Sequence, residues 1–210
     1  MTTVHHRYAT VNSRRVFYRE GGPAGAPAVV LLHGFPASSF MFRHLIPRLA
    51  DRYHVIAPEH LGFGLSDAPP AAEFEYTFDA LAGLTAGLLD QLRVGRYALY
   101  VQDYGAPVGW RLALASPDAV TAVITQNGNG YASNLPLYPK PHAWLRNSGV
   151  PVLAVWGGND EIFRPEGAVA SAQDAPGAEI CLLDGGHFLL ESHLDIAAGH
   201  IRGFLNRTLP

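Results

Sequence analysis

Asp103 stands in the stretch Val101-Gln102-Asp103-Tyr104-Gly105-Ala106, between an apolar run, Tyr97 to Val101, and a segment of helical character beginning near Tyr104. A carboxylate on a sharp strand-to-helix turn has two readings. It can cap the helix that follows, or it can attack an electrophilic carbon and carry the resulting ester. Gly105 and Ala106 are small, as a backbone turning steeply against its neighbours requires. Val101 is bulkier than the glycine common two residues before a serine nucleophile in such a turn. His187 lies in Asp184-Gly185-Gly186-His187-Phe188, where glycines after an apolar run let a loop deliver a general base. Asp160, in Gly157-Gly158-Asn159-Asp160, is either a turn aspartate or the carboxylate that holds the histidine's tautomer. Backbone N–H groups of Phe35 and Tyr104, one from each of two loops, can form an oxyanion hole.

These residues need elements to gather them. Arg7 to Val11 and Arg14 to Arg19 alternate around Asn12-Ser13 and predict a hairpin. The apolar runs Ala28 to Leu32, His54 to Ala57, Tyr97 to Val101, Val120 to Gln126, Val152 to Trp156 and Glu179 to Leu183 predict strands, most of them covered on both faces. Between them, helices are expected from a cap at Ser38 or Ser39 to Ala50, from a cap at Thr77 to about Leu92, from Tyr104 to Ser116, around Glu166 to Gln173 and from Leu194 to Arg207. A short helical candidate lies near His142 to Arg146. Alternation of this kind predicts a single α/β domain over residues 1–210, with a mostly parallel sheet of eight strands and helices on both faces. Asp103, Asp160 and His187 each follow a predicted strand, so all three should gather at the carboxyl edge of the sheet, where such folds bind ligands.

Bulk properties exclude several classes. Hydrophobic residues make up 48% of the 210 residues and charged residues 16%, a composition that folds instead of staying disordered. A net charge of -3 with no basic run argues against nucleic-acid binding. No apolar run approaches membrane-spanning length, and Met1 to Arg7 lack a signal core, so no membrane partner and a cytoplasmic location are expected. The single cysteine, Cys181, is expected as a buried strand residue in a reducing compartment. His187, Glu191 and His193 are better explained by a nucleophile–acid–base set than by a metal, and Gly62-Phe63-Gly64 lacks the helix of a dinucleotide site. No metal and no cofactor are expected. His33 is expected to be a structural loop histidine, and Ser66 lacks the flanking glycines of a nucleophilic serine.

His33-Gly34-Phe35-Pro36, Ala57 to Asp67, Val101 to Pro107, Gly157 to Phe163 and Asp184 to Phe188 together resemble the epoxide hydrolase and haloalkane dehalogenase branch of the α/β-hydrolases. The chain order Asp103, Asp160, His187 is that superfamily's order of nucleophile, acid and base. The resemblance implies that Asp103 attacks carbon to give an alkyl ester, that His187, oriented by Asp160, then activates water, and that Phe35 and Tyr104 supply the oxyanion N–H groups.

One departure is large. Members of this branch carry a helical cap after the sixth core strand. Here Asn127 to Tyr131 resembles the start of that insertion and Asn134 to Pro139 its end, so the cap is expected to be missing near residues 132–135. The cap tyrosines that protonate an opening epoxide have no counterpart, and Tyr131 and Tyr138 are expected to be packing residues. Tyr104 stands where dehalogenases place a halide-binding tryptophan, and Phe35 where some place asparagine. The expectation is a hydrolase of small apolar electrophiles, with epoxide ahead of haloalkane. The alternative is a capless, weakly active or inactive core that acts as a binding or self-associating module. Phe35, Phe40, Met41, Tyr104, Leu135, Leu137 and Phe188 would ordinarily face a cap; exposed together, they would support a homodimer.

Overall fold

Asn12 and Ser13 both adopt left-handed backbone, at φ 48° and 62°, and close strand β1 (Val4–Val11) onto β2 (Arg14–Gly21). Two consecutive left-handed residues match the twist of a two-residue hairpin. The computed structural model describes residues 2–128 and 139–209. Within them the hairpin continues into β3 (Ala28–Leu32), β4 (His54–Pro58), β5 (Tyr97–Asp103), β6 (Val120–Gly128), β7 (Val152–Gly157) and β8 (Glu179–Leu183). These form one eight-stranded sheet in the order β1-β2-β4-β3-β5-β6-β7-β8. The β1–β2 and β2–β4 pairs are antiparallel and the other five parallel.

Every residue of β3, β4, β5 and β7 is buried, which requires cover on both faces. Successive strand side chains point to opposite faces, so one strand feeds two cores. Val30 and Leu32 pack with Leu81 and Leu88 of helix α2 (Phe78–Gln91), Val108 and Leu112 of α3 (Gly105–Ala115) and Leu145 of α4 (Pro139–Ser148). Val29 and Leu31 pack on the other side with Ile46 of α1 (Ile46–Leu49) and with Ile201 and Phe204 of α7 (Leu194–Thr208). Helix α5 (Glu166–Asp174) lays Ala168 on Trp156, and a short α6 (Leu189–Ser192) precedes α7. Each fully buried Leu or Ile contributes about 1.5–3 kcal/mol relative to exposure.

The predicted helix from Ser38 to Ala50 is replaced by two shorter pieces. Ser38 caps a 3-10 turn over Ser39–Phe42, and α1 restarts only at Ile46. Pro47 supplies the reason, because its ring clashes with the carbonyl four residues earlier and it has no N–H to donate. Cys181 is not buried as expected: it is half-buried, because β8 is the sheet's edge strand. The expected excision near residues 132–135, Tyr131, Tyr138, Leu135 and Leu137 lie outside the described residues.

Candidate active site

Asp103 is the last residue of β5, and it takes the turn into α3 with φ 49°. Left-handed backbone on a non-glycine residue costs about 1–3 kcal/mol and persists where the surroundings enforce it. Two glycines provide that enforcement. A Cβ on Gly105 would lie 2.2 Å from the Leu32 carbonyl oxygen, and one on Gly34 would lie 2.2 Å from the Asp103 Cβ. The close approach brings two loops to one carboxylate oxygen. Oδ1 of Asp103 accepts the Phe35 N–H at 2.7 Å and the Tyr104 N–H at 2.6 Å. Oδ2 is left facing His187, 3.8 Å from its Nε2.

His187 lies between β8 and α6, with its Nδ1 2.8 Å from Oδ2 of Asp160. Its ring is stacked on Phe163 and meets Phe188 edge-on. Asp160, in the loop after β7, is 4% exposed. Its Oδ1 accepts the N–H groups of Ile162 and Phe163, at 2.8 and 3.1 Å. The structure therefore brings together all five residues singled out from the sequence: Asp103, Asp160 and His187 by their side chains, Phe35 and Tyr104 by their backbone. Such an arrangement can carry a nucleophilic carboxylate, a base to activate water, and donors for negative charge on Oδ1.

Two further residues were not anticipated. Asn127, near the end of β6, donates through Nδ2 to Asp160 Oδ2 at 2.8 Å and accepts the Gly157 N–H at 2.9 Å. It too is left-handed, at φ 39°, a conformation that asparagine tolerates better than most residues. Gln102 is fully buried, and its Nε2 lies 2.9 Å from His187 Nε2. Both are polar side chains at the carboxyl ends of otherwise apolar strands, a position that by itself does not single out a role. His33, by contrast, is structural: it is buried, its Nε2 accepts the His60 N–H, and burial pushes its pKa down to about 4. Ser66 is likewise engaged in the framework, accepting the Phe17 N–H and donating to the Glu59 carbonyl.

Beside the site runs an open groove of about 670 Å³, lined among others by Phe35, Phe40, Met41, Phe63, Phe188 and Glu191. Phe35 and Phe40 are 56% and 55% exposed, and Tyr104 and Phe188 each 40%. Met41 borders the groove but adds little to its exposed surface, because its side chain packs into the core and is 6% exposed. Glu191 is held by Arg43 through two hydrogen bonds of 2.7 and 2.8 Å, and so is not presented as a ligand beside His187. No helix among the described residues is long and apolar enough to cross a membrane.

Comparison with known proteins agrees with this fold. Residues 27–141 match the alpha/beta hydrolase fold family. Uncharacterized hydrolase YNR064C of Saccharomyces cerevisiae is 32% identical, over 93% of this chain and 95% of its own length. That alignment spans 277 positions against the 210 residues here, so the yeast protein carries internal residues that this chain lacks. A haloalkane dehalogenase of Mycobacterium marinum is 38% identical over 54% of this chain and 38% of its own. Epoxide hydrolase A of Mycobacterium tuberculosis is 42% identical over 56% of this chain and 36% of its own. The matched region thus spans well under half the length of these two relatives. Among solved structures, haloalkane dehalogenase DbeA from Bradyrhizobium elkani superposes with a TM-score of 0.84 and 22% identity, covering 99% of each chain.

Proposed function

The chain belongs to the alpha/beta hydrolase fold family, in the branch of the haloalkane dehalogenases and epoxide hydrolases and without their helical cap, and from that premise we propose that it hydrolyses small apolar electrophiles through an ester on Asp103. The observation that carries this reading is the division of labour on one carboxylate. Oδ1 holds two backbone N–H groups while Oδ2 faces the histidine.

In the first step Oδ2 attacks the electrophilic carbon, a C–O bond forms, and the epoxide C–O bond or the carbon–halogen bond breaks. An epoxide's alkoxide then takes a proton from water. In the second step His187 Nε2 removes a proton from a water that attacks Cγ of Asp103. Negative charge develops on Oδ1, where the Phe35 and Tyr104 N–H groups already point. Collapse of that adduct releases the alcohol and restores the carboxylate. Asp160 keeps the proton of His187 on Nδ1 and stabilises the imidazolium as it forms. The apolar body of the substrate lies along the groove between Phe35 and Phe188. Epoxide is favoured over haloalkane because Tyr104 and Phe35, which flank Asp103, carry no side-chain N–H for a departing halide.

The test is a His187→Gln variant incubated with a panel of epoxides and haloalkanes and then weighed intact. A mass increase equal to the whole epoxide, or to the haloalkane less the departing hydrogen halide, absent in Asp103→Asn, is expected. No adduct across the panel would reject the enzymatic reading. The exposed aromatic rim, Phe35, Phe40, Tyr104 and Phe188, favours self-association as a second reading. Light scattering that finds only monomer up to high concentration would reject that one.

A further inference from the structure

Both ring nitrogens of His187 are engaged, and the partner of the second is the unexpected one. Nδ1 bonds to the Asp160 carboxylate at 2.8 Å, which fixes a proton on Nδ1 and leaves Nε2 of the neutral ring as an acceptor. The group nearest that acceptor is the amide nitrogen of Gln102 at 2.9 Å, while Asp103 Oδ2 stands off at 3.8 Å. We propose that Gln102 is a positioning residue for His187: its amide N–H donates to Nε2, and with Asp160 it holds the ring from both edges in one tautomer. The inference rests on the reading of His187 as the base in ester hydrolysis.

Three observations support it. Gln102 is fully buried, and its Oε1 has no hydrogen-bond partner among the described residues. Burying an amide oxygen without a partner is costly, and turning the amide over would set Oε1 against the Nε2 lone pair, acceptor against acceptor. The orientation that orphans the oxygen is therefore the one that serves the imidazole. Gly34 leaves the amide its room, because a Cβ there would fall 2.5 Å from Gln102 Oε1. Gln126, one strand over, reaches from its own amide nitrogen to the His187 carbonyl at 3.4 Å, so neighbouring strands steady ring and backbone separately. Among the described residues, the groups facing the ring are Asp103 and Gln102 from β5, Asp160 and Phe163 from the loop after β7, and Phe188; the charged ones are the two carboxylates.

A donor on the lone pair of a neutral imidazole opposes its protonation. Removing the donor should let His187 take a proton at higher pH, and replacing it with a carboxylate should do so more strongly. The experiment is an NMR titration of the histidine ring nitrogens in the unsubstituted protein, Gln102→Met and Gln102→Glu, with the His187 signal assigned by its loss in His187→Gln. The half-protonation pH of His187 is expected to rise in Gln102→Met and to rise by about one unit or more in Gln102→Glu. Ester hydrolysis should move to higher pH in the same order, while the first alkylation of Asp103 continues. A His187 midpoint that is unchanged or lower in Gln102→Met would overturn the proposal. Should methionine disturb the packing, Gln102→Glu keeps the side chain's shape, and an unchanged midpoint there overturns it equally. The titration needs no substrate, so it is decided independently of whether an Asp103 adduct forms.

Discussion

At the scale of single residues, the site depends on amides as much as on its charged groups. Asn127 spans β6 and β7, donating to Asp160 and accepting from Gly157. Asn127→Asp preserves the left-handed backbone and the side-chain shape, but it replaces an N–H with a second carboxylate oxygen against Asp160. The variant should lose about 1–3 kcal/mol of stability at pH 7. That deficit should shrink on acidification, as one carboxyl of the pair protonates. Urea unfolding at pH 7 and pH 5 measures both; an equal deficit at the two values would show that repulsion is not the cause. Asp103, Asp160 and His187 were legible from the sequence because each sits in a glycine-bearing turn after an apolar run. Gln102 and Asn127 were not, because a buried amide has no spacing signature. Its role is defined by which atom lies across the fold.

At the scale of elements, the crossing of α3 over the end of β3 places Tyr104 and Asp103. A methyl group on Gly105 would have to occupy space 2.2 Å from the Leu32 carbonyl. Gly105→Ala should therefore destabilise the protein by about 1–3 kcal/mol. It should also slow ester hydrolysis, since the Tyr104 N–H moves with the start of the helix. A stability and a rate both equal to those of the unsubstituted protein would contradict the close-packing argument. Elements with one dominant local signal were legible: Thr77 caps α2 through the Ala80 N–H, and β8 spans the predicted residues Glu179–Leu183. The segment from Ser39 to Ala50 was misread because helical apolar spacing was weighed without Pro47. The burial of Cys181 was misread because an apolar run does not reveal whether its strand is central or at the edge.

At the scale of the whole molecule, two cores clamp one sheet, and its loops carry their own buried titratable pair. The rings of His33 and His60 meet at a tilt with centroids 4.5 Å apart, and burial lowers both pKa values, His33 to about 4. The unfolded chain binds these protons near pH 6.5, well before the folded protein does. The stabilisation is therefore fully present above pH 6.5 and is lost as pH falls through about 4. For His33 alone it amounts to roughly 3 kcal/mol. Urea midpoints should fall steadily between pH 7 and pH 4.5, and more gently in His33→Asn; a flat profile would refute this. The fold was the most legible level of all, because alternating apolar runs constrain architecture without needing any single side chain. The missing cap was legible only through the resemblance, since a deletion leaves no residues of its own to read.

The two described elements on either side of residues 129–138 have a consequence for how the core tolerates change. Gly128 ends β6 opposite Asp103 itself, and α4 starts again at Pro139, tied to α5 by the Arg146–Asp174 ion pair. Both anchors are fixed by the core, independently of what connects them. Closing a flexible connection costs only about 0.6 kcal/mol for each doubling of its length. The stretch between these two anchors is thus an interchangeable part: the core should accept a longer one at little thermodynamic expense.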